Sequence, residues 1–538
     1  MDEPSVGGGT FVALLAFVAA SVWLGTVAQR VVRQGSFVTG YFLGNRGLGA
    51  WTLALTATVQ SGGTFMGFPS LVYSHGWAVA LFIAGYMVVP ITGFGVLGKR
   101  FAQLSRRTGA ITVPDLFRER FASPLLGLVA LGLVLFFMCF MMVAQFKAGA
   151  IVMKVALPGS GALALDENAA APPDRYYYIG LAIFALTVVG YTLIGGFLAA
   201  VWTDLFQSVM MFIGVLLLLP LTLAMSGGLE HASLVAAKHT GDSFLLPPGY
   251  ATDDRQFMPI GLAVSFFFIW VFAGLGSPAG MVRIMASKNT ETIRKSVFLL
   301  AAYNSFIYIP LIMICICGRA IVPGLPPGRT DEIIPRLALL TTSEIPGGSL
   351  LAGLILAAPF GAVMATVSSY LVVIASGLVR DVYQRLLRPH ATTAQIRRLT
   401  YIVMVAVGLI AFIANIRPVA YLQALVVFSG AGGASAFVTP ALMVAFWRRG
   451  TAAGAISAML CGAGTVVGLY LIGFCQPDPM IGQITQFRPY FPLGLDPAIW
   501  GLAISAIAGV GVSLVTAPPP AQLVSKLFDA PTENLSRK

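Results

Sequence analysis

Residues 56–69 read TATVQSGGTFMGFP, where glycines and a proline interrupt an otherwise apolar run. Glycine is conformationally permissive and proline lacks a backbone donor, so this segment favours an unwound helix. A second interruption, FAGLGSPAGMVR, occupies residues 272–283. Unwound backbone at membrane depth is tolerated only where protein or a water-filled cavity surrounds it. Taken singly, each segment is also explained by close packing of small residues between helices.

The amino-acid composition of the chain indicates an integral membrane protein. Of the 538 residues, 57% are hydrophobic and 10% are charged, and the mean hydropathy is +0.85. A soluble domain carries about 25% charged residues. Runs of about 20 apolar residues can cross a bilayer. We therefore predict an all-α integral membrane protein with about thirteen spans, at 9–29, 47–73, 76–98, 124–156, 176–196, 199–226, 257–282, 296–322, 348–379, 399–416, 419–447, 452–474 and 498–517. The sequences GGF (195–197) and NIRP (415–418) are predicted to separate neighbouring spans.

Charged residues in the loops predict the orientation. Most of the 33 Lys and Arg residues fall on one side, above all in segments 98–120 and 380–398. Acidic residues concentrate on the other side, at 165–174 and 252–255. The positive-inside rule places the N-terminus outside and the C-terminus in the cytoplasm. The net charge of +12 is thus interpreted as a topology signal rather than as nucleic-acid binding. The acidic N-terminus lacks the basic region of a cleaved signal peptide, so the first helix is predicted to be retained.

The two interruptions lie in predicted spans two and seven, five spans apart. Because five is odd, the second unit is predicted to be inverted relative to the first. Paired interruptions at matching positions of two halves indicate a transporter binding site. We predict a single membrane transport domain over 1–538. Its predicted parts, in chain order, are two inverted repeats at 47–226 and 257–447, two accessory spans within 452–517, and a short cytoplasmic tail at 518–538.

Two charged residues within the predicted spans are candidates for a functional role. Asp204 either faces the bundle interior or is an interfacial acid near a helix start. Lys147, beside Gln145 in the fourth span, is either a structural cation or a partner for an anionic substrate. No constellation of His, Asp, Glu and Cys within the spans supports an integral-membrane enzyme.

Hydroxyl residues cluster in the ninth span. Ala362, Thr366 and Ser369 share one helical face, and Ser368 lies on the adjacent strip. Each hydroxyl alone is explained by a bond to its own i−4 carbonyl. Together they suggest a site for a hard cation such as sodium, completed by carbonyls from an unwound helix.

Several motifs together resemble the sodium:solute symporter family. They are YFLGNRGLGAW (41–51), MGFPSLVY (66–73), GGFLAAVWTDLFQ (195–207), GSPAGMVR (276–283), GAVMATVSS (361–369) and SGLVRDVY (376–383). The resemblance implies a LeuT-type fold of five plus five inverted helices with broken second and seventh helices. YFLGNR, IWVFAGLGSP (269–278) and residues 97–116 are most similar to the sodium/pantothenate permease branch.

The resemblance implies a set of sodium ligands. Carbonyls of Ala57, Gln60 and Ala362 and the hydroxyl of Thr366 would hold one ion. The remaining family hydroxyl falls on Ala365, which has no side-chain oxygen. Residues matching a possible second sodium site are Asp204, Ser368 and Ser369.

The resemblance also implies a substrate site at the two interruptions. Its residues are Ser61, Gly62 and Thr64 in the second span and Trp270 and Gly274 in the seventh, to which we add Gln145 and Lys147. Trp270 is equally explained as a packing aromatic. Val59 replaces an aspartate of the family's proline transporters, which disfavours proline.

We predict a sodium-coupled symporter of the cell membrane that imports a small organic solute by alternating access. Its predicted partners are sodium, the solute and the lipid bilayer. Lys147 and the pantothenate resemblance favour a carboxylate such as pantothenate. The alternatives are a sodium- or proton-coupled transporter of a neutral sugar, polyol or amino acid, and a membrane sensor with a transporter fold.

Overall fold

The computed structural model describes residues 8–32, 42–57, 61–160, 174–248, 259–419, 422–476 and 487–529. Helices dominate these residues, and one isolated β-bridge joins Leu48 to Ser287. Eleven of the described helices are long and apolar enough to cross a membrane. The bent pair Ile260–Gly276 and Pro278–Met285 makes a twelfth span if it is counted as one. The predicted span at 47–73 contains residues 58–60, which lie outside the described residues. The total of thirteen therefore stays a prediction.

The described residues of the first half form ten α-helices. They are α1 (Gly8–Val32), α2 (Ala50–Ala57), α3 (Phe68–His75), α4 (Ala80–Val89), α5 (Lys99–Thr108), α6 (Val113–Phe121), α7 (Pro124–Ala156), α8 (Arg175–Ile194), α9 (Ala199–Ser226) and α10 (Leu229–Thr240). A π-helical segment, Pro90–Gly98, joins α4 to α5. Gly196 adopts a φ of 60° between α8 and α9, so the predicted separation at GGF is confirmed.

Ten further α-helices are formed by the described residues of the second half. They are α11 (Ile260–Gly276), α12 (Pro278–Met285), α13 (Thr290–Ile321), α14 (Ile333–Leu340), α15 (Gly348–Ser376), α16 (Thr393–Ala414), α17 (Leu422–Phe446), α18 (Ala452–Cys475), α19 (Pro497–Val515) and α20 (Ala521–Phe528). The segment NIRP lies between α16 and α17, as predicted.

Polar side chains at the helix starts explain several boundaries. Ser123 accepts a hydrogen bond from the Leu126 amide at the start of α7. Thr392 forms a capping box with Gln395 at the start of α16. Such caps satisfy amides that have no partner within the helix.

Both interruptions break their helices, as predicted. After α2, the chain passes through a π-helical turn, Gly63–Gly67, before α3 begins. Ser277 is extended between α11 and α12, whose axes differ by 41°. A Cβ at Gly276 would lie only 2.9 Å from the Cα of Ala434, so glycine is needed for close packing against α17.

The spans pack into two groups. The first helix group contains α2, α3, α4, α11, α12 and α13, including both broken helices. The second helix group contains α7, α8, α9 and α15, and α9 also packs against α13 of the first group. Helix α17 contacts both α7 and α11 and so lies between the groups. Helices α18 and α19 pack on α17 and on each other, outside both groups.

Ion pairs distinguish the two ends of the molecule. At one end, Arg385 pairs with Asp115 and Glu119 of α6. We call this end, which carries α5, α6, residues 377–392 and α20, the basic face. At the opposite face, Lys154 at the end of α7 lies 3.0 Å from Asp174.

Candidate functional site

A cavity of about 160 Å³ lies between the two breaks. Ser61 and Thr64 line it from the first break, and Gly274 and Ser277 line it near the second. Further polar lining comes from Trp270 of α11 and, on other helices, from Tyr86, Asn304, Tyr308, Thr366, Tyr370 and Ser429. The other described lining residues are apolar or glycine, and none of the described lining residues is Asp, Glu, Lys, Arg or His. The breaks therefore create a neutral cavity with several hydroxyls.

Three stacked aromatic rings form one wall of the cavity. Tyr86 stacks on Trp270 with ring centroids 4.4 Å apart and on Tyr308 with centroids 4.5 Å apart. The hydroxyl of Tyr308 lies 3.1 Å from Oγ1 of Thr64. The buried indole Nε1 of Trp270 has no hydrogen-bond partner in the described residues. A buried indole N–H usually finds a partner, so this donor is available to a ligand.

Thr366 places a predicted sodium ligand at the cavity. Its Oγ1 donates to the carbonyl of Ala362 over 3.0 Å, so the two predicted ligand oxygens are neighbours. Helix α15 packs directly against the first break, because a Cβ at Gly62 would lie 3.3 Å from a methyl of Val363. These oxygens suit a hard cation such as sodium.

The other residues predicted at this ion are Ala57, Gln60 and Ala365. Ala57 is the last residue of α2, and Gln60 lies outside the described residues. The carbonyl of Ala365 accepts a hydrogen bond of 3.0 Å from Ser368, and alanine offers no hydroxyl.

Asp204 faces the bundle interior and is only 1% exposed, as one of the two alternatives predicted. Its carboxylate forms an ion pair with Arg283 of α12. Ser369 donates to Asp204 over 3.3 Å and accepts from the same guanidinium over 2.6 Å. Ser368 lies 3.5 Å from the other carboxylate oxygen. The predicted residues of a second sodium site therefore meet, and a guanidinium lies among them.

Gln145 and Lys147, predicted to bind substrate, do not line the cavity. The Nζ of Lys147 lies 2.6 Å from Oδ2 of Asp331, and both side chains are buried. Oε1 of Gln145 accepts from the amide of Gly62 over 2.7 Å. These contacts have a physical cause: a buried ammonium is stable when paired, and an unwound helix leaves amides that need acceptors. Gly62 also packs against α7, because its Cβ would meet that of Ala148 at 2.6 Å.

Several residues of the site were not predicted from the sequence. The pairing of Arg283 with Asp204 and of Asp331 with Lys147 was not foreseen, although a buried charge requires a partner. Tyr86, Asn304 and Tyr308 were not predicted either. Their positions in unbroken apolar spans carried no local signal, since only packing shows which face meets the cavity.

Comparison with known proteins gives consistent results. Residues 41–462 match the model of the sodium:solute symporter family. A sodium/pantothenate symporter of Haemophilus influenzae is 32% identical, covering 83% of this chain and 88% of the relative. The sodium/pantothenate symporter of Escherichia coli is 29% identical, covering 84% of this chain and 88% of the relative. A solved structure of a Na+-coupled sialic acid symporter, substrate-bound and outward-open, superimposes with a TM-score of 0.68. It is 19% identical and covers 96% of this chain and 99% of its own.

Proposed function

The chain belongs to the sodium:solute symporter family, and we propose that it imports a small organic carboxylate such as pantothenate together with sodium. The family is one of transporters, not enzymes. The cavity between the broken helices is the observation that carries the proposal. It joins hydroxyls of both broken helices and Thr366 of α15 at the middle of a multi-pass membrane protein. Transporter sites commonly lie at such a midpoint.

Sodium supplies the driving force in this proposal. Thr366 and the carbonyl of Ala362 hold it at the cavity wall, with carbonyls of Ala57 and Gln60 completing the shell. Since the basic face would be cytoplasmic in the cell membrane, sodium enters towards that face. The membrane potential contributes about 2.3 kcal/mol per charge and 100 mV. Substrate binds between the breaks, and rocking of one helix group against the other then opens the cavity inward.

The carboxylate is supported by the pantothenate symporters among the relatives, not by Lys147. Within the cavity, the indole N–H of Trp270 and the hydroxyls of Ser61 and Thr64 can donate to an anion. Gly274 at the second break lines the cavity and allows the backbone to approach the substrate, whereas Gly62 at the first break packs against α7. A sodium ion near Thr366 would add a positive charge to the cavity.

The test is uptake of radiolabelled pantothenate into proteoliposomes, with and without an inward sodium gradient. Thr366→Ala should abolish the sodium dependence because it removes a ligand oxygen. Thr465→Ala is a matched control, since Thr465 also bonds its i−4 carbonyl, over 2.7 Å, but on the exposed surface of α18. Uptake that ignores sodium in the wild type would contradict the assigned coupling.

A neutral solute is a second candidate, and a specific observation favours it. None of the described residues lining the cavity carries a charged side chain, which suits a sugar, a polyol or a zwitterionic amino acid. Competition of pantothenate uptake by a panel of neutral and anionic solutes separates the two candidates. Accumulation inside sealed vesicles would also exclude a sensor that binds without transport.

A further inference from the structure

The C-terminal helix α20 places one aromatic ring among three arginines at the basic face. The ring of Phe528 lies 5.1 Å from the guanidinium carbon of Arg100, 5.0 Å from that of Arg120 and 5.5 Å from that of Arg448. Each distance is within the range of a cation–π contact. Three guanidinium groups this close repel one another, and the negative face of a ring offsets part of that repulsion.

The three arginines come from parts of the molecule that belong to different helix groups. Arg100 lies in α5, which continues the α4 span of the first group. Arg120 lies in α6, which packs on α7 of the second group. Arg448 follows α17, the helix between the groups. A single side chain of the tail thus contacts both groups and the helix that separates them.

The arginines also converge on the end of α17. Nε of Arg100 donates to the carbonyl of Ala445 over 3.1 Å, and Nη2 of Arg120 donates to that of Trp447 over 3.0 Å. Cations are favourable at a helix C-terminus, where carbonyls lack helical partners. The arrangement under Phe528 is therefore a defined junction between the helix groups.

Two polar contacts anchor α20 on this junction. Nη1 of Arg107 in α5 donates to the carbonyl of Leu527 over 2.7 Å. The guanidinium of Arg448 lies 2.5 Å from the carboxylate of Asp529. Leu527 is itself fully buried in this contact. Helix α20 is thus bound through Leu527 and Phe528 and through Asp529, which directly follows it.

We propose that α20 is a latch that holds the two helix groups together at the basic face. The inference rests on the proposed rocking of these groups. When the groups separate at this face, Arg100 and Arg120 move apart, and one ring cannot stay in contact with both. Opening towards the basic face therefore requires α20 to release, and the tail sets how readily the cavity opens on that side.

The test measures access to the cavity, not transport. Val134 lines the cavity on the half of α7 nearer the basic face. A single cysteine is introduced as Val134→Cys after the five native cysteines are replaced. A membrane-impermeant maleimide is then added from the basic-face side, without substrate. Loss of the latch by Phe528→Ala, or by truncation after Pro520, should speed labelling about fivefold to tenfold, since three cation–π contacts are lost.

Three variants in α20 make the result specific. Phe528→Tyr keeps the ring and should label like the parent, whereas Phe528→Leu keeps apolar bulk without the ring and should label fast. Lys526→Ala changes an exposed residue of the same helix and should have no effect.

Two outcomes overturn the proposal. One is unchanged labelling in both Phe528→Ala and the truncated protein. The other is equal acceleration in Phe528→Tyr and Phe528→Ala together with a lower melting temperature, which would make α20 a purely structural support. Because labelling needs no substrate, failure to transport pantothenate would leave this result interpretable.

Discussion

Lys147 of α7 and Asp331 form a buried ion pair with 2.6 Å between Nζ and Oδ2. The same carboxylate oxygen accepts a hydrogen bond from the amide of Leu422 at the start of α17, over 3.3 Å. The Asp331 carboxylate therefore connects three parts of the molecule at the face opposite the basic face. They are α7, α17 and the segment before α14 that carries Asp331 itself. Since the ammonium is compensated there, Lys147 is better explained as a structural cation than as the partner of an anionic substrate.

Breaking this pair should destabilise the protein. Asp331→Asn removes the negative charge that faces the buried Lys147 ammonium, at a cost of about 3–5 kcal/mol, and should lower the melting temperature in detergent. The double variant Lys147→Met/Asp331→Asn removes both charges and keeps an acceptor for Leu422, so it should recover most of the loss. Lys295→Met is the control, because its pair with Glu291 is exposed. Loss of carboxylate uptake in Lys147→Met without loss of stability would contradict this role and would indicate that Lys147 binds the substrate.

The ion pair between Arg283 and Asp204 predicts transport with one sodium ion. Because the guanidinium already neutralises the carboxylate, initial uptake rates should rise with sodium concentration with a Hill coefficient of about 1. A coefficient of about 2 that Ser368→Ala reduces to 1 would show that a second sodium binds beside Arg283. Asp204→Asn should also lower the melting temperature, since it leaves Arg283 buried without its partner.

Trp270 should contribute to substrate affinity through its indole N–H. Trp270→Phe keeps a ring against Tyr86 but removes the donor, so the KM for uptake should rise about tenfold, as for a hydrogen bond to a charged group. The melting temperature should not change, because Nε1 has no partner in the described residues. Trp202→Phe is a suitable control, as Trp202 is 49% exposed on the bundle surface. Equal KM values in both variants would mean that Trp270 serves only for packing.

Gly276 should not tolerate a side chain. In Gly276→Ala the new Cβ would lie 2.9 Å from the Cα of Ala434 and 3.0 Å from the carbonyl oxygen of Gly433. Backbone atoms cannot rotate away, so we expect a loss of about 1–3 kcal/mol, measured by thermal unfolding. Gly132→Ala in α7 meets no atom within 4 Å and should be neutral. A stable Gly276→Ala protein would show that α11 and α17 can move apart at this break.

Sequence patterns predicted the broken helices because their cause is local. Glycine and proline at 56–69 and 272–283 weaken a helix wherever it packs. Most span boundaries were predicted in the same way, since bilayer thickness imposes a minimum apolar length. A buried position was one of two alternatives predicted for Asp204, because a charge inside a span is costly in any fold.

Charge pairing and the shape of the cavity were decided by the tertiary structure. Arg283 lies 79 residues from Asp204, and Asp331 lies 184 residues from Lys147; no local pattern links such partners. Tyr86 and Tyr308 stack only because α4 and α13 pack side by side. The sequence by itself determined where helices cross and break, because hydrophobicity and backbone chemistry act along the chain. Which buried charges neutralise each other, and which faces enclose the cavity, depended on distances between helices that only folding establishes.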